Sequence, residues 1–87
     1  MPAPLYRQIA AELRRRIRDG EFPVDSSLPS RATLQRNYGT SHQVVDKAMI
    51  VLWALGYTES TPGAATYVRE VAPQEDPEIA AYLDDLA

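Results

Sequence analysis

The feature that most constrains this chain is Gly39, which stands between two short stretches of helical pattern with a single residue, Thr40, before the next cap. Ser30 suits the N-cap of a helix from Arg31 to about Tyr38, within which Leu34 and Tyr38 lie one turn apart and share a face. Gly39 takes a positive φ without steric cost, Thr40 completes the turn, and Ser41 caps a third helix running to about Leu55, closed by Gly56. Val45, Ala48 and Leu52 then point inward. Two short helices joined by a tight glycine turn have the spacing of a helix-turn-helix, whose second helix is expected to enter a DNA major groove.

The remaining elements build around that pair. Pro4 opens a first helix from about Leu5 to Asp19, with Leu5, Ile9, Leu13 and Ile17 recurring every four residues and Gly20 as a left-handed cap. EFPVDSS reads as a loop. Tyr57 to Thr61 and Ala65 to Glu70, rich in Tyr, Thr and Val and separated by Pro62-Gly63, read as a β-hairpin, the wing. Pro77 opens a short amphipathic fourth helix in which Ile79, Tyr82, Leu83 and Leu86 follow the i, i+3, i+4, i+7 spacing. The expected fold is mainly α with a small β-hairpin: a winged helix-turn-helix over residues 1–71, followed by an acidic tail over residues 72–87.

The length of 87 residues allows one small domain, and with no cysteine neither disulfides nor thiolate metal sites are at hand to stabilise it. The longest apolar run, Ala48 to Gly56, falls well short of the roughly 20 residues of a membrane span, and MPAPLYRQ lacks a signal-peptide pattern, so a cytoplasmic protein is expected. The net charge of −3 hides a division. Through Val71 the chain carries all nine basic residues against seven acidic ones, leaving the body at +2, while the tail has five acidic residues and no basic one. Arg7, Arg14 and Arg18 fall on the first helix opposite Ile9 and Leu13, where they are expected either to hold phosphates or simply to be solvated.

The segments PLYRQIAAELRRRIRDGEF, LPSRATLQRNYGTSHQVVDKAM and GYTESTPGAATYV resemble, in order and spacing, the amino-terminal domain of the GntR family over roughly Pro4 to Val68. The most specific pieces are Leu5-Tyr6 with Gln8-Ile9, Leu28-Pro29-Ser30, Gly39 with Ser41, and Gly63 with Thr66-Tyr67-Val68. The resemblance implies a sequence-specific, dimeric regulator of transcription, a bacterial repressor or activator. The chain departs from the family where the family touches DNA. Arg31 is followed by Ala32, although the family usually places arginine two positions after the serine; His42-Gln43-Val44-Val45-Asp46 replaces a run bearing two arginines; Ala65 stands where a second glycine is common.

By position on a recognition helix, His42, Gln43, Val44, Asp46 and Lys47 are the candidate readers. Gln43 suits adenine N6 and N7, His42 guanine N7 or a phosphate, Val44 a thymine methyl, Asp46 cytosine N4 and Lys47 a phosphate. The plainer alternative is that Asp46 repels the backbone and Val44 belongs partly to the core. Ser30, Arg31, Ser41 and Gly63 complete the expected DNA-contacting set. A lone histidine without cysteine or a second histidine points to no zinc site, and without a nucleophile and orienting group in a cleft it points to no catalysis. No cofactor is expected.

Helix three is apolar nearly all round, from Ala48 to Leu55, so Ile50, Trp53, Ala54 and Tyr57 are expected to be covered. Two covers are available: the stripe Ile79, Tyr82, Leu83 and Leu86 of the tail, or the same surface of a second subunit, the latter favoured because a twofold operator rewards a twofold protein. The acidic tail is also a candidate competitor with DNA for the basic body. Only 16 residues follow Val71, too few to enclose a metabolite, so no small-molecule effector site is expected within this chain. The rival reading is a winged helix that has lost DNA binding and holds another protein through Ile50, Trp53 and Tyr57.

Overall fold

The computed structural model describes residues 3–60, 66–69 and 76–86, apart from the side chain of Ser60. The elements run α1 (Leu5–Arg18), α2 (Arg31–Tyr38), α3 (His42–Leu55), β1 (Thr58–Ser60), β2 (Thr66–Val68) and α4 (Pro77–Leu86). This is a winged helix-turn-helix with an added C-terminal helix. No helix among the described residues is long and apolar enough to cross a membrane.

Caps set the helix boundaries. The Ser30 hydroxyl accepts from Thr33 N at 3.1 Å and the Ser41 hydroxyl accepts from Val44 N at 3.4 Å, so each supplies one of the partners that a helix N-terminus lacks. Gly39 ends α2 with φ +61, and its N–H donates to Gln35 O; a β-carbon there is disfavoured by backbone conformation alone, because nothing lies within 4 Å of where it would be. α1 differs in having Pro4 at its N-cap and no side-chain cap; basic residues Arg15, Arg16 and Arg18 instead occupy its last turn, where the helix dipole favours them.

The core joins Ile9, Ala10 and Leu13 of α1, Leu34 of α2 and Val45, Ala48, Met49 and Leu52 of α3, closed by Leu28, Tyr57 and Val68. Each helix contributes the stripe that its sequence period marks, and α3 packs against both α1 and α2. Leu5, counted in the α1 stripe, is the first residue of the helix and is 43% exposed. Tyr57 belongs to this core and not, as its neighbours in sequence suggested, to the apolar surface of α3.

The hairpin pairs Thr58 with Val68, Glu59 with Tyr67 and Ser60 with Thr66. The segment before α2 is not a plain loop. Leu28 N donates to Thr66 O at 2.8 Å, Val68 N to Ser26 O at 2.9 Å and Asp25 N to Val68 O at 3.0 Å, so residues 25–28 run along the second edge of β2. Pro62, Gly63 and Ala65 of the wing tip lie outside the described residues.

α4 packs on α1. Leu83 is buried, whereas Ile79 and Tyr82 are largely exposed and Leu86 is half-buried. The expected cover for α3 is therefore not supplied in this way: the tail docks within the chain, but on another helix, and Ile50 and Trp53 stay 61% and 60% exposed. The reason lies in α1. Arg7, Ala11, Arg14 and Arg18 form one stripe, and α4 offers it both an apolar residue, Leu83, and the acceptors that three arginines need.

Candidate nucleic-acid interface

The surface expected to meet DNA begins at the turn. With Ser41 capping α3, its first turn leaves the core, so that Ser41, His42, Gln43 and Lys47 are exposed while Val45, Ala48 and Met49 on the other side are buried. Val44 is half-buried and packs against the core, as the plainer reading of that residue had it. Ser30 and Ser41 are exposed, but their hydroxyls are occupied in capping, and Ser30 also shares a hydrogen bond of 2.9 Å with Thr33 Oγ1. Gly63 lies outside the described residues.

Asp46 joins the two helices of the motif. Arg31 Nε donates to its Oδ1 at 2.6 Å, and His42 Nε2 lies 2.9 Å from its Oδ2, an i, i+4 contact along α3. Each carboxylate oxygen thus has a basic side chain within 3 Å, Arg31 on one side and His42 on the other. Arg31 and Asp46 are each a little over one third exposed and His42 is 61% exposed, so the cluster sits at the surface rather than within the core. Sequence spacing shows the His42–Asp46 pair, but nothing in it marks Arg31, 15 residues earlier and on another helix.

The first turn of α1 borders this surface. The Lys47 ammonium lies 5.7 Å from the centre of the Tyr6 ring, and the Arg7 guanidinium lies 5.6 Å from the same ring and 5.9 Å from that of Tyr82. Arg7 also donates to the Tyr6 hydroxyl at 3.0 Å and the Tyr82 hydroxyl at 3.2 Å. These contacts, that from Tyr82 first, favour the charged guanidinium. Arg7 remains exposed and carries its charge at the edge of the α3 surface.

Arg14 is the correction. Expected on the outer face of α1, it is 1% exposed and donates to Asp84 Oδ1 at 2.6 Å, with Arg18 at 3.5 Å from the same atom. A helical wheel sees three arginines opposite the apolar stripe and reads that face as solvent; the docking of α4 covers its middle, Ala11 and Arg14, while Arg7 and Arg18 stay exposed. Arg14 meets a carboxylate there, not solvent. Its hydrogen bond, the largest cause, holds the Asp84 carboxyl below its ordinary value of 3.8.

Comparison with known proteins agrees with this architecture. The family described as "Bacterial regulatory proteins, gntR family" matches residues 5–68. The mannosyl-D-glycerate transport/metabolism system repressor MngR of Escherichia coli (strain K12) is 40% identical over 67 residues, which cover 77% of this chain and 28% of that protein. A crystal structure of a putative GntR-family transcriptional regulator superposes with a TM-score of 0.73 at 40% identity, covering 82% of this chain and 29% of the other. The AraR DNA-binding domain in complex with operator ORR3 superposes with a TM-score of 0.75 at 28% identity, covering 78% of this chain and 82% of that one. The chain thus spans little more than a quarter of the length of MngR. With the profile matching from the start of α1 to the end of β2, and with the helix-turn-helix and hairpin in the family's order, this chain belongs to the GntR family of bacterial regulatory proteins.

Proposed function

We propose that the chain is a sequence-specific DNA-binding unit of a transcriptional repressor, which lays α3 in the major groove and brings the wing to the adjacent minor groove. One observation carries this reading: α3 is capped by Ser41 and exposes the polar side chains of His42, Gln43 and Lys47 on one side, while Val45, Ala48, Met49 and Leu52 on the other are locked into the core. A helix presented in this way offers side chains at its N-terminus to base edges on a rigid mount. The likeness to a domain bound to operator DNA, and to a protein named as a repressor, supports both halves of the proposal. Gln43 reads adenine, and Lys47 and Arg7 hold phosphates beside the Tyr6 ring. In this arrangement Arg14 serves the tail rather than DNA.

Two copies bind a twofold operator through the exposed Ile50 and Trp53 surface, which otherwise leaves two large apolar side chains in water. The same surface is what favours the second reading, a module that holds another protein. A salt titration against a pool of duplexes separates them. Specific binding predicts enrichment of selected sequences and affinity that falls as salt rises; Gln43→Ala erases the preference and Lys47→Ala weakens all duplexes alike. Failure of every duplex to bind above background at low salt refutes the DNA reading.

A further inference from the structure

Asp46 carries a negative charge onto the surface proposed to face phosphates. Such a residue is costly for binding unless it does something else. Its two oxygens are taken up by Arg31 from α2 and His42 from α3. The Arg31 bond is made through Nε, and neither terminal nitrogen, Nη1 or Nη2, has a partner among the described residues. Arg31 also lines a shallow surface depression with Met49, Ile50 and Trp53, and its backbone is fixed one residue after the Ser30 cap.

We infer that Asp46 is a positioning residue and reads no base: it holds Arg31 so that the two terminal nitrogens face a guanine, and the reading head of this protein is shared between α2 and α3. An arginine anchored at Nε keeps two parallel donors of the kind that match guanine O6 and N7. Ordering it before binding removes most of the rotamer entropy that a loose arginine would lose on the DNA. The negative charge has a second effect. It offsets the Arg31 charge toward phosphates, lowering affinity for arbitrary sequence while leaving the hydrogen-bond pattern toward the right base intact.

This inference rests on the DNA-binding reading and deepens it. The test is a selection from a random duplex pool with the intact chain and with Arg31→Ala, Asp46→Ala, Asp46→Asn and the Arg31→Ala/Asp46→Ala double variant. Thermal midpoints are recorded to confirm that each is folded. Arg31→Ala is expected to lose one enriched guanine, lowering the ratio of specific to arbitrary binding roughly tenfold, within the range of a single side-chain-to-base pairing. Asp46→Ala loses the same guanine, and the double variant loses nothing more, since the two residues act as one unit. Asp46→Asn keeps an acceptor for Nε without the charge. It retains the guanine but binds arbitrary duplexes more tightly, with a salt dependence steeper by about one phosphate. Loss of a different base in Asp46→Ala, or a further loss in the double variant, overturns the inference and leaves the DNA reading standing. An intact chain that enriches no sequence overturns both.

Discussion

Thr58 is fully buried at the base of the wing, and its Oγ1 has no hydrogen-bond partner among the described residues. A hydroxyl taken from water without a replacement bond costs about 1–3 kcal/mol. Thr58→Val keeps the volume and the β-branched shape suited to a strand while removing that cost. A gain near 1 kcal/mol is therefore expected, equivalent to a rise of roughly 4–8 °C in melting temperature for a domain of this size. Thr58→Ala serves as the counterpart. It also removes the hydroxyl but forfeits a buried methyl group at about 0.8 kcal/mol, so the two effects nearly cancel. Urea unfolding of the three proteins measures this, with equal m-values required before midpoints are compared. A valine variant less stable than the parent would show that the hydroxyl is bonded in the folded protein, and the reasoning would fail.

Other expectations follow from features already described. Gly39→Ala costs about 1 kcal/mol, the left-handed backbone penalty less the gain from a stiffer unfolded chain, and Gly39→Asn costs less; a loss above about 3 kcal/mol by the same unfolding assay would mean that steric crowding, not φ, is the cause. The lowered pKa of Asp84, held down by the Arg14 hydrogen bond, implies that α4 docking is fully supported above pH 3.8 and weakens as pH falls through the depressed value. Amide exchange in α4 reports this, and Asp84→Asn removes the step; an unchanged acid profile in that variant counts against the Arg14 contact. Replacing both Ile50 and Trp53 by serine leaves the stability of the monomer within about 0.5 kcal/mol, because both are exposed, but abolishes a dimer in sedimentation. Retention of the dimer would place its interface elsewhere.

Local signals carried far in this chain. The serine caps and glycine turns stand within one or two residues of the helix ends they mark, because cap chemistry is set by the adjacent backbone. What was not legible depends on partners remote in sequence. Arg14 is buried beneath α4, where it meets Asp84, 70 residues later in the chain. Residues 25–28 show no alternation, since their pairing with β2 is made through backbone groups that every residue has. Asp46 as a base reader and Asp46 as an anchor require the same residue at the same place; only the position of Arg31 separates them. Tyr57 follows an apolar helix and by sequence belongs with its surface, although the cap at Gly56, with φ +90, turns the chain back toward the core.

The pairing of residues 25–28 with β2 has a mechanical consequence. Leu28 is bonded to Thr66, at the wing side of β2, and lies two residues before Ser30, which opens α2. A force that lifts the hairpin is therefore transmitted through a short, hydrogen-bonded tether to the start of the helix bearing Arg31. The wing and the surface proposed to face the major groove are joined through these bonds, so a change in the length of residues 61–65 that displaces β2 is expected to alter the aim of Arg31.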